Sequence, residues 1–187
     1  MILLTDATKD WLREGCWRVA PAGLPWIKQS HRIMVGEDSK IGTNVIVGKW
    51  VRIGDGVIIG DGVIIEKGAE IGGGASVGEG VEIGGHSIIG QSVKIGEYSI
   101  IGYVVIIGDR VVIGDHVGIA HEVIIGDEAQ IGYGVSIDYK TSIGRHAKVG
   151  RRASIGKSAN IGEKIVIVAE THIGIGSVLF SNTSVKD

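Results

Sequence analysis

Ile53-Gly54-Asp55-Gly56-Val57-Ile58 is one unit of a pattern that runs almost the whole length of the chain. An Ile, Val or Leu recurs at every sixth residue from Ile41 to Val185, 25 successive positions without an insertion. Two residues before each stands a second small or branched residue, among them Val45, Val51, Val57, Ala69, Ala75, Ser87, Ala129 and Thr141, and Gly usually follows the aliphatic position. Side chains two apart in extended backbone share a face, so each pair makes a very short strand with an inward side. The residues that follow must turn the chain sharply, and Gly reaches backbone angles closed to other residues. A period of six is too long for one face of a helix and too regular for a meander. It implies a solenoid whose coils stack as parallel strands, because no single coil can bury its own apolar side.

The rest of the composition agrees with a repeat protein. The chain has 187 residues, the length of one domain, with 32 Gly against 2 Pro and a single Phe. Collagen needs Gly at every third position with abundant Pro, and a disordered Gly-rich linker lacks the Ile and Val that are plentiful here. A net charge of -2 with scattered Lys and Arg provides no basic face for nucleic acid. One cysteine, Cys16, forms no internal disulfide, which points to a reducing cytoplasm. The apolar opening Met1-Ile2-Leu3-Leu4 is stopped by Asp6, Lys9 and Asp10, too short for a signal peptide or a membrane span.

Residues 1–32 read as a cap on the array. Thr5 to Glu14 has the signals of a short helix stopped by Gly15, and Trp11, Trp17 and Trp26 with Pro21 and Pro25 mark an irregular aromatic segment. Covering an exposed sheet end is a common defence against aggregation. Two domains are therefore expected: the cap over 1–32, helical or irregular, and the repeat domain over 33–187.

The unit Ile-Gly-x-x-Val-x resembles the hexapeptide repeat of left-handed parallel β-helix proteins. The resemblance implies an all-β, left-handed parallel β-helix, a triangular prism with three hexapeptides per coil that typically assembles as a homotrimer. Its left-handed coiling departs from the usual right-handed crossover. With three hexapeptides per coil, residues 18 apart stack in a column, and positions 41 to 185 span 8 coil steps, roughly 40 Å at about 4.8 Å per strand.

One corner of that prism stands out. From Ile41 to Leu179 the residue after the aliphatic position is Gly except at Glu66, Ala120, Asp138, Val168 and Phe180, and the first three fall in one column. The same corner stacks Lys67, Tyr103, His121, Tyr139 and Lys157, beside Trp50, His86, Glu122 and Lys140. The other corners carry mostly Gly-Asp, Gly-Glu or Gly-Arg, the chemistry of solvated turns. Outward Ile46, Ile64 and Ile100 line the face before this corner and Ile88, Ile106 and Ile124 the face after it. Contiguous apolar columns on two faces that meet at one edge are expected to be an interface between subunits. The third face mixes Ile58 and Val112 with Lys94, Gln130 and Lys148.

Gly118-Ile119-Ala120-His121-Glu122-Val123-Ile124-Ile125-Gly126-Asp127 resembles the segment around the catalytic histidine in the acyltransferases of lipid A synthesis, which act on UDP-N-acetylglucosamine and on its 3-O-acyl glucosamine derivative. The resemblance implies acyl or acetyl transfer from a thioester, acyl-coenzyme A or acyl carrier protein, to a hydroxyl or amine of a sugar or sugar nucleotide. No permanently bound cofactor or metal is implied. His121 is then the general base, suited to this by a reference pKa of about 6.5. Glu122 or Asp138 is expected to orient the ring, and a backbone N–H near Asp138 or Tyr139 to receive the oxyanion. Tyr103, Tyr139, Lys140 and Lys157 are the candidate substrate-binding residues by column position.

Other readings of the same residues stand beside this one. Glu122, Lys140 and Lys157 also read as solvated charges, and the two tyrosines as interface aromatics. His116 and His121 are five apart, as in a histidine pair of the γ-class carbonic anhydrases, but their phase in the repeat puts them on different corners. A non-catalytic structural or binding trimer is the main alternative, since the register never slips to admit the protruding loop that acyltransferases of this fold commonly carry.

Overall fold

The computed structural model describes residues 33–180 together with two short strands, Ile2–Leu4 and Arg18–Val19. The expected helix over 5–14, the tryptophan segment and the last aliphatic position, Val185, lie outside the described residues. Regular structure among the described residues is entirely β, nearly all of it in two-residue strands. They assemble into sheets of nine, ten and eight strands, and within each sheet neighbouring coils pair in parallel with a shift of eighteen residues, as in Ile100↔Gly118 and Gly118↔Ser136. The fold is a left-handed parallel β-helix of about 8 turns. Where the prism begins, Ile2–Leu4 pairs antiparallel with Val45–Val47, and Arg18–Val19 with Met34–Val35.

Each coil visits the nine-stranded sheet (first face), the ten-stranded sheet (second face) and the eight-stranded sheet (third face) in turn. Within a hexapeptide the two inward residues vanish from solvent, as Val63 and Ile65 do at 0% exposure, while Ile64 between them faces outward. The core is therefore one continuous column of Ile, Val and Ala. Its polar members are satisfied by the neighbouring coil. The Ser87 hydroxyl donates to the Gly102 carbonyl at 2.8 Å and accepts the Val105 N–H at 3.1 Å, and Ser39 and Ser99 repeat the pattern. Thr141 donates to the Gly156 carbonyl.

The turns assign glycine a different task from the one its position suggests. The glycine after the aliphatic residue does not supply the left-handed backbone angle. That angle falls two residues later, with φ between 52° and 72° at every sixth residue from Asp38 to Gly176. What the earlier glycine supplies is clearance: a Cβ on Gly48 would lie 2.4 Å from the Lys67 peptide nitrogen of the next coil. Most of the left-handed positions carry Asn, Asp, His, Ser or a long charged chain, and Val104, φ 57°, is the one β-branched residue among them.

The corner between the first and second faces gathers residues 102–104, 120–122 and 138–140 at successive coils. On its second-face side, Ile88, Ile106 and Ile124 stand 46%, 42% and 49% exposed. On its first-face side the expected stripe is uneven, with Ile100 exposed but Ile46 and Ile64 half-buried. Ile46 lies in register with Leu3 of the N-terminal strand.

Candidate functional site

A ladder of side chains runs down the turns. At the first turn residue on two corners, an aspartate accepts the peptide N–H of the residue one coil earlier. Asp55 takes Glu37 at 2.8 Å, Asp61 takes Thr43 at 2.6 Å, Asp109 takes Gln91 at 2.8 Å, Asp115 takes Glu97 at 3.0 Å and Asp127 takes Asp109 at 3.0 Å. The corner between the first and second faces has no aspartate at this position. There His121 takes the place, and its Nδ1 accepts the Tyr103 N–H at 2.9 Å. A neutral imidazole that accepts at Nδ1 carries its proton on Nε2, so in this pose His121 offers a donor to whatever lies outside the corner.

Tyr103 is held from its other end. Its ring centroid is 5.0 Å from that of His121 with the planes tilted by 50°, and its Oη donates to Glu66 Oε1 at 3.1 Å. The second carboxylate oxygen, Glu66 Oε2, accepts the Gly85 N–H at 3.2 Å. The hydrogen bond to Glu66, followed by the charge of that carboxylate, holds the Tyr103 phenol above its usual pKa.

The expected orienting carboxylates have other partners. Glu122 Oε1 accepts the Tyr139 hydroxyl at 3.1 Å, and its Oε2 lies 3.7 Å from Lys140 Nζ. Asp138 Oδ1 accepts the N–H of its own neighbour Tyr139 at 2.7 Å. Lys140 and Lys157 place their ammonium groups 5.0 and 5.3 Å from the Tyr139 ring. The Tyr139 hydroxyl, then the Glu122 charge, hold the Lys140 ammonium above its usual pKa. The peptide N–H groups expected to receive an oxyanion are engaged as well: Asp138 donates to Ile155 O at 2.9 Å, Tyr139 to the Asp138 carboxylate, and Lys140 to His121 O at 3.2 Å.

All seven expected site residues thus share one corner, and with Glu66 they form two groups. An upper group joins Glu66, Tyr103 and His121, and a lower one joins Glu122, Asp138, Tyr139, Lys140 and Lys157. Glu66 had only its break of the Gly rule to mark it, since its link to Tyr103 crosses two coils. His116 belongs elsewhere, stacked on Tyr98 at 5.6 Å and edge-on to Tyr133 at 5.5 Å on the corner between the third and first faces. Among the described residues no group of three His, Cys, Asp or Glu side chains is placed to hold a metal ion, and no helix is long and apolar enough to cross a membrane.

The model of the GMPPB C-terminal domain matches residues 26–121, just over half of the chain. The chain belongs to this family. A second model, the hexapeptide repeat of succinyl-transferase, matches residues 104–139 and so spans Tyr103's neighbour Val104 through His121 to Tyr139. The protein is therefore a hexapeptide-repeat member of the GMPPB C-terminal domain family.

No curated protein matches the chain. Among solved structures it resembles a UDP-N-acetylglucosamine acyltransferase from Campylobacter jejuni, with a TM-score of 0.72 and 23% identity over 76% of this chain and 64% of that one. It thus spans just under two thirds of the length of that relative, and the likeness establishes the shared fold. LpxA from Acinetobacter baumannii (TM-score 0.48, 23% identity, 83% of this chain and 69% of that one) also matches. So does a hexapeptide transferase family protein from Anaplasma phagocytophilum (TM-score 0.37, 19% identity, 76% and 70%).

Proposed function

We propose that the protein is an acyltransferase that works at the corner between the first and second faces. It moves an acyl or acetyl group from a coenzyme A or carrier-protein thioester to a hydroxyl or amine of a sugar or sugar nucleotide in the cytoplasm. The observation that carries this reading is His121 in the aspartate ladder. Of the side chains that occupy a ladder position and accept its N–H, it alone is an imidazole, with one ring nitrogen engaged in the ladder and a second left over for chemistry. The likeness to a UDP-N-acetylglucosamine acyltransferase supports the substrate class.

In this reading His121 is the general base. A base needs a free lone pair, and the Nδ1 lone pair is engaged by Tyr103. Turning the ring by half a rotation about Cβ–Cγ frees Nδ1 at the loss of one hydrogen bond, about 1 kcal/mol. That is small against the roughly 8 kcal/mol or more by which enzymes lower barriers. Glu122 and Asp138 act one step removed, by holding Tyr139 and Lys140, and those two with Lys157 form a cationic aromatic rim for an anionic part of donor or acceptor. The exposed Ile88, Ile106, Ile124 and Ile100 support a homotrimer in which a second copy packs beside the corner and closes it from water.

The test measures thiol release from acetyl-, longer acyl- and carrier-protein thioesters with a panel of UDP-sugars. Wild type is expected to turn over at least one pair and His121→Asn to lose about 100-fold or more. Absence of thiol release from every donor, or full activity in His121→Asn, rejects the reading.

The ladder also favours a second reading, a non-catalytic structural or binding trimer in which His121 does only what aspartate does elsewhere. Turnover in wild type that His121→Asp abolishes with the fold intact supports the first reading; a wild type without turnover, matched by His121→Asp in fold and assembly, supports the second.

A further inference from the structure

We infer that Glu66 is a positioning residue for His121 that acts through Tyr103, an inference that rests on the acyl-transfer reading of this corner. Position 66 is one where five of the seven other coils have Gly, and Glu66 has both its carboxylate oxygens engaged. The reason lies one coil on. The ladder acceptor for the Gly85 N–H would be the side chain of residue 103, and a tyrosine there brings no carboxylate to it. Glu66 supplies the acceptor instead, at 3.2 Å, and with its second oxygen takes the hydroxyl of the same tyrosine at 3.1 Å.

The phenol is thereby tied at its far end, while its own peptide N–H holds His121 Nδ1 at 2.9 Å and its ring lies 5.0 Å from the imidazole. Gly85 leaves room for this reach: a Cβ there would lie 3.0 Å from Lys67 O, 3.5 Å from Tyr103 Cδ1 and 3.6 Å from Glu66 Oε2. The carboxylate oxygens of Glu66 bond to Gly85 and Tyr103, so its influence on the imidazole passes through the Tyr103 ring. A proton-transfer group works only when its ring is held in a productive orientation. Hydrogen bonds between exposed side chains add little to stability, so the contribution of Glu66 belongs chiefly in the rate, with only a small effect on the melting temperature.

The experiment uses the full chain with Glu66→Ala, Glu66→Gln, Tyr103→Phe and the Glu66→Ala/Tyr103→Phe pair. It reads the His121 ring proton shifts by NMR, the thermal midpoint, and kcat and KM for thioester transfer. Glu66→Ala and Tyr103→Phe are each expected to move the His121 ring shifts, as the neighbouring aromatic ring loses its fixed place, and to lower kcat about tenfold with KM unchanged. Glu66→Gln keeps one acceptor and is expected to retain most of both. The double variant is expected to lose the same tenfold, because both changes cut one link.

A hundredfold loss in the double variant overturns the inference, since the residues would then act separately. So do unmoved His121 shifts in Glu66→Ala, or a rate loss matched by a drop in thermal midpoint. A wild type that releases no thiol rejects the acyl-transfer reading while leaving the NMR arm to decide whether Glu66 positions His121.

Discussion

His121 Nδ1 accepts the peptide N–H of Tyr103 at 2.9 Å, in the place that a carboxylate oxygen holds on the other two corners. The imidazole is thus a load-sharing member of the coil stack as well as the candidate proton carrier. The two tasks separate by substitution. His121→Asp restores the ladder chemistry and is expected to leave the denaturant midpoint within about 0.5 kcal/mol of wild type, whereas His121→Ala loses about 1 kcal/mol. Asp127→Ala, which uncaps Asp109 on another corner, serves as the reference and should cost about as much as His121→Ala.

Val104 stores strain beside this site. Its φ of 57° lies in the left-handed region, which costs a non-glycine residue about 1–2 kcal/mol and a β-branched one the upper part of that range. The residue is 50% exposed, so little burial offsets the cost. Val104→Asn is expected to raise stability by about 1 kcal/mol in urea unfolding, and Val104→Gly by less because glycine loses more chain entropy on folding. Unchanged or lowered stability in Val104→Asn means that Val104 is buried by something outside the single chain.

Adjacent residues of one strand should respond oppositely. Ile125 is 1% exposed and Ile124 is 49% exposed. Ile125→Ala is expected to cost about 2–5 kcal/mol of unfolding free energy through the lost contacts and the cavity left. Ile124→Lys in an isolated chain should change stability by less than about 0.5 kcal/mol. In a trimer packed on the second face, Ile124→Lys and Ile106→Lys should lower the sedimenting mass toward that of one chain. An unchanged mass places any assembly on another face.

Alkaline pH should loosen two tyrosine anchors. The Tyr98 phenol is held above its usual pKa by its hydrogen bond to Glu79 and the charge of that carboxylate, as Tyr103 is by Glu66. A folded-state pKa above the unfolded value of 10 contributes stability that is present below about pH 10 and is lost as pH rises through the raised folded value. Thermal midpoints measured from pH 8 to 11 are expected to fall more steeply in wild type than in Tyr98→Phe/Tyr103→Phe. Parallel curves would show that neither phenol contributes.

Much of this architecture follows from the amino-acid sequence alone. Twenty-five aliphatic positions at intervals of six set the strand period, and with three hexapeptides per coil simple arithmetic places Glu66, Tyr103, His121, Asp138 and Tyr139 along one corner. The inward pair is a property of extended backbone that the apolar pattern dictates, whereas the coil length of three hexapeptides came from the resemblance to left-handed β-helix proteins. What each side chain does at that corner was decided only by the tertiary structure. Glu122 and Asp138 bond to Tyr139 and not to His121, Glu66 reaches Tyr103 across two coils, and a backbone N–H selects the imidazole tautomer. The glycine after each aliphatic residue likewise serves close approach between coils rather than the turn angle. These choices depend on rotamers and on donors and acceptors brought within about 3 Å from neighbouring coils. A periodic pattern specifies which residues become neighbours, but the geometry of the stacked turns determines which atoms meet.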